Sequence, residues 1–164
     1  MSNKIMVRGA LLIAVALVLQ SIRLVLPLPA LLSTFIIGTL VHMMLVVTHH
    51  KSSTKAAMLL CCMLPLTAYI QGQLLLPILI PVVAVGNLLF LLLYSKLQAS
   101  SLVYAIPPVA KSVVMVVAAY LALQVMGIHP PVVTKTILFA MSVPQIVTGM
   151  AGIALAKTVL KRLH

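Results

Sequence analysis

Residues 75–94, LLPILIPVVAVGNLLFLLLY, run for twenty positions without a charge and with a single amide, Asn87. As a helix rising ~1.5 Å per residue, that stretch is about as long as a bilayer's hydrocarbon layer is thick. A backbone in hydrocarbon must satisfy its own hydrogen bonds, so a helix is the form this run can take there. Pro77 and Pro81 interrupt it, Gly86-Asn87 lies near its middle, and the polar turn Gln71-Gly72-Gln73 leads into it. An amide at that depth needs partners, because an unpaired one costs several kcal/mol or so. Residues 71–94 therefore read as the mouth and inner wall of a binding cavity opening on the outer face.

The rest of the chain repeats the theme. It has 164 residues, 63% hydrophobic, with a mean hydropathy of +1.28, more apolar surface than a soluble domain of this size can hide. The expected architecture is an all-α polytopic membrane protein, a single domain of six transmembrane helices over 5–26, 30–48, 55–70, 75–94, 102–126 and 133–160, with Pro27 and Pro29 ending the first. A turn is expected from Gly127 through His129 to Pro131. Lys4 and Arg8 followed by an apolar run resemble a signal peptide, but Gln20 and Arg23 follow and no small-x-small site is clear, so this run is expected to stay as the first helix.

Eleven Lys and Arg stand against no Asp or Glu. So little solvated surface gives no nucleic-acid-binding face; the charge sets topology and meets anionic lipid. With the N-terminus inside, Lys4, Arg8, Lys51, Lys55, Lys96, Lys157, Lys161 and Arg162 fall on the cytoplasmic side, and Arg23 and Lys135 on the outer side. Six helices bring both termini inside, and the expected location is a bacterial plasma membrane.

Without carboxylates the chain cannot build an acid/base pair, a Ser-His-Asp triad or a carboxylate cage for a cation, and a proton-coupled carrier or an acid-ringed cation channel is disfavoured. No enzyme, cofactor or metal centre is expected. Cys61 and Cys62 are adjacent and point apart on a helix, reading as small hydrophobes. His42 reads as a packed or carbonyl-bonded helix residue. His49 and His50, with Lys51 and Lys55, read as a solvated basic loop rather than metal ligands.

Sorted by depth, Gln20, Arg23, Gln71, Gln73, His129 and Lys135 lie near the outer ends of the helices. Asn87 and Gln145 lie about 15 Å below the outer surface. Lys111 also sits at mid-depth, which costs on the order of 3 kcal/mol on insertion scales. With no carboxylate to meet it, Lys111 either snorkels inward, binds helix carbonyls or a partner protein's acid, or meets an anionic ligand. Arg23, Gln71, Gln73, Asn87, Lys111, Lys135 and Gln145 are the candidate substrate-binding set. On helix 1, the small residues Gly9, Ala10, Ala14 and Ala16 are expected along one side, and the Ala10-x-x-x-Ala14 step stacks two of them on one face, to meet either this chain's own helices or another protein.

Together these features resemble the substrate-binding S component of energy-coupling factor transporters: a short six-helix chain with both ends inside, small residues four apart in helix 1 (Ala10, Ala14), a polar outer loop after helix 3, and Gly86-Asn87 in helix 4. The resemblance covers nearly the whole chain. It implies capture of a vitamin-like molecule from outside, docking through Ala10 and Ala14 on a transmembrane coupling subunit, power from two cytoplasmic ATPases, and toppling in the membrane to release cargo. The absence of a phosphate-binding G-x-x-x-x-G-K-S/T loop agrees with borrowed power. The missing carboxylates argue against a cationic vitamin or a hard metal ion and favour neutral or anionic cargo. Two other readings stand beside it: a structural or assembly protein of the bacterial envelope with no small-molecule ligand, and a self-contained small anion carrier or channel.

Overall fold

The computed structural model describes residues 3–26, 29–127 and 131–162. Pro27 and His129 lie outside them. Seven α-helices account for nearly all described residues: α1 Asn3–Val25, α2 Ala30–Lys51, α3 Thr54–Ile70, α4 Leu79–Leu97, α5 Ile106–Val125, α6 Pro131–Met141 and α7 Val143–Arg162, with a 3-10 turn at Ser101–Tyr104 before α5. Five helical runs are long and apolar enough to cross a membrane, counting α6 and α7 as one; α3, at 17 residues, is shorter.

Prolines and hydroxyls set the boundaries. Pro107 and Pro108 occupy the first turn of α5, where a missing N–H is harmless. They delay that helix to Ile106 rather than the expected 102. Pro77 and Pro81 likewise delay α4 from 75 to Leu79. Ser53 caps α3 by accepting from the Ala56 N–H at 3.2 Å. The expected final helix over 133–160 is two helices. Pro144 has no N–H for the carbonyl four residues back, and the chain breaks at Ser142. The His49-His50 pair, expected in a loop, belongs to the last turn of α2, and the His50 Nε2 lies 2.9 Å from the Tyr94 hydroxyl.

The bundle turns aliphatic side chains outward and keeps several polar ones inside, among an otherwise apolar core. Val25 and Val125 are 80% and 84% exposed, and Val7, Leu11, Val18 and Ile70 also face outward, whereas Gln20, His42, Asn87, Lys111 and Thr148 are buried. That much exposed aliphatic surface suits a lipid solvent. The basic residues assigned to the cytoplasmic side gather at the end where α1 begins and α2 and α4 finish. There Arg8 donates to the Lys51 carbonyl at 3.3 Å, Ser52 donates to the Ile5 carbonyl at 3.1 Å, and the Lys157 ammonium sits 4.4 Å from the Tyr104 ring centroid.

α1 carries two stripes. Gly9, Ile13, Ala16 and Gln20, spaced four, three and four apart, are buried against the bundle. Ala10 and Ala14 are exposed, beside Val7, Leu11 and Val18. The small residues expected on one side thus divide: Gly9 and Ala16 serve this chain's own packing, and Ala10 and Ala14 do not.

Glycines let the helices approach closely in the interior. A Cβ on Gly152 of α7 would lie 2.5 Å from the His42 Cβ and 2.9 Å from the Thr39 carbonyl of α2; one on Gly86 of α4 would lie 2.5 Å from the Met115 Cγ of α5. Only glycine permits these spacings. One apolar cluster, including Leu45, Phe90, Leu91, Tyr94 and Ile153, fills the basic half of the bundle; another, with Leu79, Val82, Met115 and Met141, packs α4, α5 and α6.

Candidate functional site

The largest polar feature inside the bundle forms around Lys111, which is 2% exposed. Its Nζ donates to the His42 Nε2 and to the Asn87 Oδ1, each at 2.7 Å, and stands 5.9 Å from the Phe90 ring centroid. The His42 Nδ1 lies 2.7 Å from the Gly38 carbonyl. A carbonyl only accepts, so Nδ1 carries the proton and Nε2 is left as an acceptor for lysine. The Phe90 ring, edge-on to the imidazole at 4.9 Å, restrains it further. Lys111 therefore does not snorkel. It points inward onto neutral acceptors, one of which is His42; the sequence reads His42 as packed or carbonyl-bonded, which its Nδ1 is, and gives no sign of its second bond to lysine.

Asn87 is oriented from the opposite side by a proline. Pro65, buried in α3, lacks the N–H that would reach the Cys61 carbonyl four residues earlier. The Asn87 Nδ2 takes up that carbonyl in a long 3.5 Å contact, so Oδ1 is the end presented to Lys111. The same device recurs in α7. Pro144 frees the Ala140 carbonyl, and the Gln145 Nε2 donates to it at 3.2 Å. Each mid-depth amide thus answers a carbonyl that a proline leaves open.

Above this cluster lies a cavity of about 200 Å³ with Lys111, His42 and Asn87 at its inner end and Gln20, Gln145 and Thr148 on its walls; apolar sides come from Ile37, Val41, Leu64, Val83 and Met115. A second hollow of about 440 Å³ is lined by Gln71, Leu75, Leu79, Thr136 and Ile137. The two share Arg23, Thr34, Gln73, Leu74, Ala140 and Met141, so the deeper cavity continues into a vestibule at the end poor in basic residues. On the other side of the cluster, Phe90, Tyr94, Leu45 and Ile153 close the path toward the basic end.

Of the expected binding residues, the inner cavity gathers Arg23, Gln73, Asn87, Lys111 and Gln145. Gln71 lines only the vestibule and is spent on structure: its Nε2 donates to the Ser21 hydroxyl of α1 and its Oε1 accepts from Gln73, both at 2.7 Å. Lys135 is exposed and lines neither hollow. The face that α6 turns to the hollows carries Ile137, Ala140 and Met141 instead. Sequence reasoning does not find His42 and Ser33 as lining residues, and it places Gln20 among the outer-end polar residues without adding it to the binding set. Gln20 shares the inward stripe of Gly9, Ile13 and Ala16, a spacing visible in the sequence. Its Nε2 donates to the Leu64 carbonyl at 3.0 Å, while its Oε1, like the Ser33 Oγ, is buried without a hydrogen-bond partner among the described residues.

Among the described residues no group of three His, Cys, Asp or Glu could hold a metal ion. No family model matches the chain, and neither a characterised protein nor a solved structure matches it. The chemistry of the site must be read from its own geometry. It offers amide and hydroxyl groups, an ammonium on a neutral floor, and an apolar body, which suits holding a small molecule rather than transforming one.

Proposed function

We propose that the chain is the substrate-capture S component of an energy-coupling factor type uptake transporter. It spans a bacterial plasma membrane six times, with both termini cytoplasmic, and takes a neutral or anionic vitamin-like molecule from outside. It passes that cargo inward with a transmembrane coupling subunit and two cytoplasmic ATPases, and it is not an enzyme. The observation that carries this reading is the blind cavity. It opens at the end with few positive charges, which the charge bias places outside, and stops on Lys111, His42 and Asn87 over a packed core. A scaffold has no use for such a hollow, and a channel needs a path through the Phe90–Tyr94 layer. The outward Ala10 and Ala14 leave a smooth strip of α1 for another helix to approach.

The test is isolation of the tagged full-length chain from its native membranes in mild detergent. A membrane subunit and two ATPases co-eluting with it support the reading. Recovery of the chain without any ATPase, together with cargo uptake that persists after ATP depletion, refutes it.

A further inference from the structure

We propose that the cargo is a small organic carboxylate bearing at least one further N–H or O–H donor, and that its carboxylate seats on Lys111. This rests on reading the cavity as a capture site. The chain contains no Asp or Glu, and both groups bonded to the Lys111 Nζ are neutral acceptors. An ammonium has three protons, so one N–H and the whole of the charge are left for something outside the chain to answer. A buried charge without a counter-ion is costly, and an incoming carboxylate makes the filled site neutral. Arg23, on the wall common to cavity and vestibule, gives the entry the same preference.

The walls specify the rest of the molecule. Gln20 and Ser33 are 4% and 1% exposed, both line the cavity, and the Gln20 Oε1 and Ser33 Oγ lack partners among the described residues. An amide oxygen can only accept; the Gln20 Oε1 is shielded in this structure, and a turn of its side chain toward the cavity brings it to a donor on the cargo. Between these poles the lining is apolar. A hollow of about 200 Å³ holds on the order of ten non-hydrogen atoms, counted as water-sized spheres. The inner hollow thus has room for one ring or a short chain beside Lys111.

The sign of the cargo's charge is tested by Asn87→Asp. The asparagine Oδ1 already lies 2.7 Å from the Lys111 Nζ, so this substitution gives the lysine an internal counter-ion with almost no change in size. Small molecules extracted from wild-type, Asn87→Asp and Lys111→Met proteins, each confirmed monodisperse, are quantified by mass spectrometry. In parallel, the proteins in nanodiscs are titrated with 4-aminobenzoate, 4-aminobenzamide and 4-aminobenzylamine, which share a ring and a donor and differ in charge. The expected result is an anion with exchangeable protons extracted from the wild type, and binding of the benzoate in preference to the other two. Both variants should lower anion retention by about tenfold or more, equivalent to ~1.4 kcal/mol.

A neutral or cationic extracted molecule, tighter amine binding by Asn87→Asp, or an equal or absent response to all three probes overturns the proposal. ATPase co-elution is scored separately. A neutral cargo with ATPases present sinks the carboxylate and spares the transporter; an anion held by a chain with no ATPase partner does the reverse.

Discussion

Replacing Gly152 with alanine adds one methyl group at the contact that sets the spacing of α2 and α7. The new Cβ would stand 2.5 Å from the His42 Cβ, 2.9 Å from the Thr39 carbonyl oxygen and 3.0 Å from the Met43 backbone nitrogen. Two of these three atoms are backbone, so no side-chain rotation relieves them. An ordinary carbon contact is about 3.5–4.0 Å, so the helices must part by about 1 Å. Overpacking of this kind costs about 1–3 kcal/mol, which for a chain of this size lowers Tm by about 2–12 °C. The same displacement moves the α2 backbone that carries His42 and disturbs its 2.7 Å bond with the Lys111 Nζ on α5. Stability and cargo retention should therefore fall together. Thermal unfolding in detergent can be followed by maleimide reaction at buried Cys61 in a Cys62→Ser background, since Cys62 is exposed. Ala154→Leu, on the exposed side of α7, is the control. A Gly152→Ala protein with unchanged Tm and undiminished cargo would refute the claim that this glycine holds the floor of the cavity in place.

Bulky replacements at Ala10 and Ala14, such as Ala10→Trp with Ala14→Trp, should leave cargo capture intact and abolish uptake; normal uptake in that double variant would remove α1 as the docking face. Arg23→Gln should weaken capture several-fold while Lys135→Gln leaves it unchanged, because only Arg23 lines the hollows; equal effects in a binding titration would undo that distinction. Gln145→Leu should destabilise by about 1–3 kcal/mol, the cost of leaving a buried acceptor unmet, here the Ala140 carbonyl. An unshifted unfolding midpoint would show that water replaces the amide. Tyr94→Phe should cost about 1 kcal/mol through loss of the contact with His50, and an unchanged midpoint would show that the contact adds nothing.

The helices are legible where a single run of residues decides them. The long apolar stretches announce α1, α2, α4 and α5, and the positions of Asn87 and Lys111 can be counted along the last two. Pairings across helices are another matter. His42 and Lys111 are 69 residues apart, and no local pattern marks one as the other's acceptor. The link from Pro65 through the Cys61 carbonyl to Asn87 joins α3 to α4, and becomes visible only once the two are side by side. Pro144 reads as a bend, yet whether a proline bends a membrane helix or breaks it depends on what meets the freed carbonyls. Here the Gln145 amide meets the Ala140 carbonyl, and the single Ser112 O–H is shared between the Met141 and Ser142 carbonyls at 3.3 and 3.1 Å, tying α5 to the break. Lys135 lies on α6 with its side chain exposed, and its distance from the hollows follows from how that short helix is rotated, which the sequence does not display.

The cavity is built from two kinds of material. Its base is fixed by glycines that tolerate no added atom, at Gly86 and Gly152. Its rim is made by the segment before α4 and by the short α6, where Gln73, Leu74 and Ala140 are half-buried. Over evolution, such a protein can exchange rim residues to accept differently shaped guests while the anchoring chemistry beneath stays constant. Selection for a new ligand should accordingly collect its substitutions in the upper wall and leave the foundation untouched.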